Sequence, residues 1–329
     1  MENLITYKDA GVDLEAAQSI VDDIAVLRQR TEQRHRMLDR FGGFAAAYDL
    51  SVYREPVLMT TCDGIGTKII PLLEHDMLEA AGVDLVAMNV NDVLTTGARP
   101  ILFLDYVGVG RIERSRIKRL IQGMSDALTA CDCVLAGGET AEMPDIVGPD
   151  QLELAGFCVG AMEKADRLPA DTIQDGDVVM GVPSDGFHAN GWSLIRKVLE
   201  RGNDSFSEAE VQSLLTPTRI YYPEVVKLQA AGIAVKAMAH ITGGGLAENF
   251  ARVLNGHGAQ LRIPTWADPV IRRVLAHVPP EDALRAFNMG WGWVMVLDAE
   301  AATRALDVLS DARAIGEVGG TSVHVEMES

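Results

Sequence analysis

Two consecutive α/β domains, in the broad sense that includes α+β layering, are what this 329-residue sequence predicts. Three observations carry the expectation. Helix-like and strand-like patterns alternate along the chain, the alternation halts at a polar stretch over residues 163–177 and then restarts, and no unit recurs at a period of roughly 20 to 50 residues. The length suits two cores, since a single core stops growing well before it.

The elements follow in order. Leu14, Ala17, Ile20, Val21, Ile24 and Leu27 recur at steps of three and four, so residues 13–33 read as an amphipathic helix opening at an Asp cap. After Gly42 and Gly43, residues 57–62 read as a buried strand that runs straight into the turn Asp63-Gly64-Ile65-Gly66-Thr67-Lys68. Residues 84–96 read as a helix, 101–107 as a strand, 115–130 as a helix and 134–136 as a short strand ending in a Gly137-Gly138-Glu139-Thr140 turn. A further strand at 152–162 precedes the polar stretch, whose Pro169 and Gly176 mark a boundary between domains at 1–165 and 166–329. Beyond it come a strand at 178–182, a loop at 184–191, a helix at 192–200, a strand at 235–241, the loop Thr242-Gly243-Gly244-Gly245 and a helix at 246–254. Trp291 and Trp293 share one face of a strand, where core packing is the default.

Composition narrows the function. With 47 acidic and 29 basic residues the net charge is −18, which repels polyanions and argues against nucleic acid. Local backbone N–H groups or a divalent ion can still hold a small phosphorylated ligand. Four irregularly spaced cysteines form no disulfide framework and point to reduced thiols, hence a cytoplasmic protein. Cys131 and Cys133 fit neither a zinc nor a redox C-x-x-C pattern. No apolar run approaches the roughly 20 residues that span a bilayer, so neither membrane nor secretion is expected.

The common nucleotide signatures are missing. No Gly-Lys dipeptide occurs, which excludes a P-loop, and Gly108-x-Gly110 lacks the third glycine of a dinucleotide fingerprint. The histidines show no H-E-x-x-H pairing for zinc, and no G-x-S-x-G elbow exists. What stands instead is a set of acidic and glycine-rich segments at strand ends. The turn from Asp63 to Lys68 joins a carboxylate, two glycines, a hydroxyl and a cation, an inventory for gripping phosphates with Mg²⁺, or else an ordinary turn with an exposed Lys. Asn91-Asp92 lies on an apolar helix, where a carboxylate is paired, hydrogen-bonded or metal-bound unless it faces solvent. Gly137-Gly138-Glu139-Thr140 repeats the theme. In the second half, the loop holding His188 and Asn190 and the Thr242–Gly245 run each precede a helix, whose free N–H groups suit a phosphate. Read blandly, His188 is a loop histidine with a structural hydrogen bond and the glycines are a flexible turn.

Ten ordered blocks resemble the phosphoribosylformylglycinamidine cyclo-ligases, or AIR synthetases. They are Tyr7-Lys8-Asp9-Ala10-Gly11-Val12-Asp13, Asp63 to Lys68, Asn91-Asp92, Phe103-Leu104-Asp105-Tyr106, the run Gly137 to Pro144, Ala155-Gly156-Phe157, His188-Ala189-Asn190-Gly191, Pro217-Thr218-Arg219-Ile220-Tyr221, the run His240 to Gly245, and Phe287-Asn288-Met289-Gly290. The resemblance implies the AIR-synthetase-like fold, with an N-terminal mixed sheet and helices that pairs across a homodimer and a C-terminal sheet with helices. It also implies ATP and Mg²⁺ as cofactors and formylglycinamidine ribonucleotide as substrate. By likeness, Asp63, Asn91, Asp92 and Glu139 are metal residues. Lys8, Asp13, Gly64, Gly66, Thr67, Lys68, Gly137, Gly138, Thr140, Thr242, Gly243, Gly244 and Gly245 are phosphate contacts, and Lys68, His188 and Asn190 carry catalysis. Ala189 stands where the family commonly has Ser, Cys62 precedes the Asp-Gly turn where other residues are usual, and Trp291 and Trp293 replace smaller residues. The rival readings are a sister enzyme of the superfamily, such as a selenophosphate synthetase, which would carry Cys or selenocysteine beside the N-terminal Lys, and a non-catalytic scaffold, which would not need three such carboxylates.

Overall fold

The computed structural model describes residues 14–32, 36–38, 43–201 and 205–328. The first half contains α1 (Leu14–Glu32), β1 (Pro56–Asp63), α2 (Ile69–Glu74), α3 (Leu78–Leu94), β2 (Arg99–Val109), α4 (Arg114–Ala130), β3 (Val134–Glu142) and β4 (Leu152–Glu163). The second contains β5 (Val178–Pro183), α5 (Trp192–Arg201), α6 (Glu208–Leu214), α7 (Tyr222–Ala230), β6 (Ala237–His240), α8 (Gly245–Ala251), β7 (Ala259–Pro264), α9 (Pro269–Leu275), α10 (Pro280–Ala286), β8 (Trp291–Leu297), α11 (Ala299–Val308), β9 (Arg313–Val318) and β10 (Val323–Glu328).

The strands form two separate sheets, ordered β1-β4-β2-β3 and β10-β7-β9-β5-β8-β6. Both are mixed: β2 pairs parallel with β3 and β10 parallel with β7, and the other pairings are antiparallel. The helices α3 and α4 bury one face of the first sheet through Leu85, Val86, Leu120, Ile121 and Met124, all at or near zero exposure. Two glycines make their close crossing possible. A Cβ on Gly82 would sit 2.2 Å from the Leu120 carbonyl oxygen, and one on Gly123 2.0 Å from that of Glu79. The opposite face of this sheet is left open, with Leu58 52% and Phe157 40% exposed. In the second sheet β8 is buried along its whole length, as a central strand covered on both faces must be. Trp293 is wholly buried and stacks on Tyr221 at 5.2 Å, while Trp291 fills the space above Gly181. Both tryptophans are therefore core residues.

Two elements differ from the sequence reading. The Gly137–Thr140 segment is no turn: β3 continues through it to Glu142, pairing Gly138 with Asp105 and Glu139 with Tyr106. Its glycine is required by a side chain, because a Cβ on Gly138 would lie 2.3 Å from Asp105 Oδ1. Helix α3 begins at Leu78 rather than Asp84, and Asp84 is fully buried inside the helix as an ion-pair partner.

Candidate functional site

The two halves meet along a seam formed by α3 and the turn after β1 against the second half, and the sequence-predicted residues fall on both sides of it. From the first half come the turn after β1 and one face of α3; from the second come the loop before α5, the 216–221 segment and the loop after β6.

Asp63 ends β1 beside α3. Its N–H donates to Asn89 Oδ1 at 2.9 Å, Asn89 Nδ2 donates back to its carbonyl at 3.1 Å, and Gly64 N–H donates to Asp63 Oδ1 at 2.8 Å. Burial raises the Asp63 carboxyl above its ordinary range, the Gly64 hydrogen bond opposes this, and the nearby Asp92 charge adds to it. Gly64 has no room for a side chain, since its Cβ would be 2.7 Å from the Leu154 carbonyl oxygen, and Gly66 takes a φ of +54°. Thr67 crosses the seam, its hydroxyl 2.9 Å from that of Ser193 at the start of α5.

Lys68 does not face the cleft as expected for a phosphate contact. It is fully buried, with Nζ 2.7 Å from Asp84 Oδ2 and 2.8 Å from the Thr216 carbonyl oxygen, and 5.7 Å above the Trp192 ring. Burial lowers its pKa and Asp84 opposes the shift. Asp84 also accepts from the Thr218 N–H at 2.7 Å and hydroxyl at 2.6 Å. Lys68 and Asp84 thus rivet α3 and its preceding turn to the second half of the chain.

Asn91, expected as a metal residue, is likewise committed elsewhere. Its Nδ2 donates to the Arg219 carbonyl at 2.8 Å, its Oδ1 accepts from Tyr221 N–H at 3.0 Å, and the side chain is fully buried. An amide with both ends engaged is a clamp on the 219–221 backbone. Asp92, one residue on, is 39% exposed and reaches His240 Nδ1 at 3.0 Å. His240 closes β6 and brings the glycine loop with it.

Glu139 is not brought to Asp63 and Asp92. β1 and β3 are opposite edges of the sheet, three strand spacings or about 14 Å apart. The pairing of Gly138 with Asp105 also turns Glu139 to the open face, away from the helices. Gly137, Gly138 and Thr140 lie on the same edge strand, and no phosphate need be invoked for Gly138. Among the described residues no three His, Cys, Asp or Glu side chains converge as a metal cage. Lys8 and Asp13 lie outside the described residues.

Across the seam, His188 is buried with a φ of +60°, in space left by Gly292, where a Cβ would meet His188 Cε1 at 2.4 Å and Tyr221 Oη at 2.1 Å. Its Nε2 accepts from the N–H groups of Asp185 at 3.3 Å and Arg219 at 3.5 Å. That places its proton on Nδ1, which has no hydrogen-bond partner. Burial, reinforced by His240, Lys68 and Arg219, holds its pKa well below the ordinary value, so the ring is neutral. Asn190 abuts the glycine loop, its Oδ1 3.6 Å from a Cβ position on Gly243, and its buried Nδ2 is unpartnered. The loop is rigid: Asn249 Nδ2 donates to the carbonyls of Thr242, Gly243 and Gly245, and Gly244 N–H donates to Arg285. Gly245 is glycine for packing, with its Cβ position 1.9 Å from the Leu284 carbonyl oxygen.

Sequence reasoning missed Asn89, Asp84 and the His240 imidazole as supports of the site. Thr218, Arg219 and Tyr221 carried a signal, since they sit inside one of the ten blocks.

Two mixed sheets joined by such a seam define the class of proteins described as AIR synthase related: residues 43–162 match its N-terminal domain and residues 174–327 its C-terminal domain. A hydrogenase maturation protein HypE, solved in complex with ATP, has the same fold at a TM-score of 0.68 and 18% identity, covering 97% of this chain and 93% of that one. Phosphoribosylformylglycinamidine cyclo-ligase of Caldanaerobacter subterraneus subsp. tengcongensis is 39% identical over 95% of this chain and 97% of its own. The enzyme of that name from Albidiferax ferrireducens is 42% identical over 95% and 91%. The chain belongs to the phosphoribosylformylglycinamidine cyclo-ligase family.

Proposed function

We infer that this chain is a phosphoribosylformylglycinamidine cyclo-ligase, using ATP to close formylglycinamidine ribonucleotide into aminoimidazole ribonucleotide in purine biosynthesis. The observation that carries the reading is the near-full-length identity to enzymes of that name, on a fold whose seam sets two carboxylates opposite an unpartnered amide and a glycine loop. ATP use is supported by the fold shared with an ATP-bound protein.

In the chemistry proposed, the formyl amide oxygen takes the γ-phosphoryl group and ADP leaves. An amidine nitrogen then attacks the activated carbon, a proton is lost, phosphate departs with the former amide oxygen, and the ring is closed. Such steps ask for positioning and charge neutralisation more than for a nucleophile. Asp63 and Asp92 would hold Mg²⁺, which characteristically takes one or two carboxylates together with phosphate oxygens and neutralises their charge. Gly64, Gly66 and Thr67 shape the turn beside the nucleotide phosphates. Asn190 and the loop from Thr242 to Gly245 receive the substrate's ribose phosphate end, with Asn190 Nδ2 as a donor. His188, neutral and carrying its proton on Nδ1, donates a hydrogen bond rather than a charge. Lys68 and Asn91 act by holding the two halves in register.

The domains are taken as 1–165 for ATP and dimerisation and 166–329 for the substrate. The open face of the first sheet, with Leu58 and Phe157, is the surface through which a homodimer would form, and Glu139 on that face would look toward the partner copy. A cytoplasmic location accords with four unpaired cysteines. No helix among the described residues is long and apolar enough to cross a membrane. Purified protein is expected to form ADP only when formylglycinamidine ribonucleotide is present. ADP at background with that substrate, together with undetectable substrate binding, refutes the assignment.

A further inference from the structure

A second concavity, of about 650 Å³, opens at the other end of the seam, and none of its lining residues belongs to the site above. Its floor is apolar, with Met162 from β4, Leu228 from α7 and Met238 from β6, each at most 4% exposed. Its mouth carries the exposed guanidiniums of Arg99 and Arg167. Among the described residues Arg99 donates to Gln229 Oε1 at 3.5 Å, and neither arginine has a carboxylate partner. Two acids share the rim, Asp166 and the β4 residue Glu163, the latter accepting from the N–H groups of Arg54 and Glu55. Two arginines and two acids balance at this rim, so in a chain with net charge −18 it is locally neutral, and Arg99 is left without a carboxylate partner among the described residues. Tyr53 adds an aromatic wall, and Tyr53 with Arg99 also lines an adjoining hollow of about 200 Å³ beside Tyr48 and Tyr222.

We propose that this end of the seam is a second small-molecule site, taking an aromatic ligand with one acidic group, its rings on the apolar floor and its acid on Arg99. Volume and lining are those of ligand sites, which favour domain junctions and pair an apolar bed with a few polar groups. Arginine suits the acid because its planar fork binds oxyanions in two places and stacks on aromatic rings.

Occupancy reaches the cyclo-ligase site through two elements. Met238 lies two residues before His240 on the same face of β6, and His240 holds Asp92. Gly97, also in the lining, follows the end of α3, which carries Asn91 and Asp92. A ligand that prefers one setting of this end of the seam biases the other end by its difference in affinity for the two settings.

The probe is 1-anilinonaphthalene-8-sulfonate, an aromatic monoanion whose emission rises on apolar burial, titrated into the intact chain. Saturable one-site binding is expected, retained at saturating ATP with its Kd shifted at least twofold by the reciprocal coupling, weakened at least tenfold by Arg99→Glu and less by Arg167→Glu. Both arginines are on the surface, so both variants fold and keep basal turnover. Saturating probe should shift the KM for ATP at least twofold in the native chain and leave that of Arg99→Glu unchanged. Equal affinity in both variants, or displacement by ATP, overturns the site. Probe binding at Arg99 with an unmoved KM overturns the coupling. The binding arm uses no turnover, so its failure is distinct from failure of the cyclo-ligase reading.

Discussion

Replacing Lys68 by Met separates a lysine that rivets the seam from one that touches phosphate. The side chain is fully buried, its ammonium 2.7 Å from Asp84 Oδ2 and 2.8 Å from the Thr216 carbonyl. Asp84 Oδ2 has no hydrogen bond of its own and depends on that ion pair. Removing one partner of a buried pair leaves an uncompensated charge and costs about 3–5 kcal/mol. The two Thr218 donors remain on Asp84 Oδ1 and place this case near the lower end, at about 3 kcal/mol. Lys68→Met/Asp84→Asn removes both charges while the Asn oxygen still accepts from Thr218, so the double variant should recover most of that loss. Urea unfolding gives the stabilities, and turnover per folded molecule gives the catalytic effect. A destabilised single variant and a double variant with near-native stability and turnover within about tenfold of the native chain are expected, where tenfold is about 1.4 kcal/mol of barrier. A single variant of native stability with turnover lowered a thousandfold, not restored in the pair, would refute the reasoning and return Lys68 to the phosphates.

Two further outcomes follow from the same seam and sheet. Asp105 is 7% exposed, and burial pushes its carboxyl from 3.8 up to about 7, opposed by a backbone hydrogen bond and aided by Glu139. Between those values the folded chain holds a proton that the unfolded chain releases, so this group lowers stability as pH rises through the interval, and the penalty is complete above about 7. Asp105→Asn should therefore stabilise the nucleotide-free chain at pH 8 by up to roughly 4 kcal/mol and have little effect at pH 4, read from urea midpoints; a gain equal at both pH values contradicts the account. Asn91→Leu breaks two cross-seam hydrogen bonds and buries the Arg219 carbonyl and Tyr221 N–H unpaired, for about 2–4 kcal/mol of lost stability. Native stability with activity abolished would instead make Asn91 a ligand of the reacting groups.

Local pattern made most elements legible, and long-range pairing explains the rest. Residues 57–62 and 152–162 read correctly as strands because apolar runs bounded by turn residues leave little choice. Gly137-Gly138 read as a turn because two glycines usually end a strand; that Asp105 needs the space above Gly138 is visible only once β2 and β3 are side by side. At the site, the chemistry of Asp63, Asp92, Asn190 and the glycine loop is legible from residue type alone, and the structure gathers them at one seam. Lys68 and Asn91 resemble their neighbours in type, but each also reaches a backbone carbonyl of the second half, 148 and 128 residues away, which no local spacing reveals. Glu139 shared a motif type with Asp63 without sharing its sheet face.

The central claim is that the formyl oxygen is the group activated by phosphoryl transfer, and isotope tracing tests it most directly. With formylglycinamidine ribonucleotide labelled by ¹⁸O in the formyl group, each turnover in ordinary water should yield one imidazole ring, one ADP and one inorganic phosphate carrying a single ¹⁸O. Unlabelled phosphate, formed at the same rate as the ring, would contradict it.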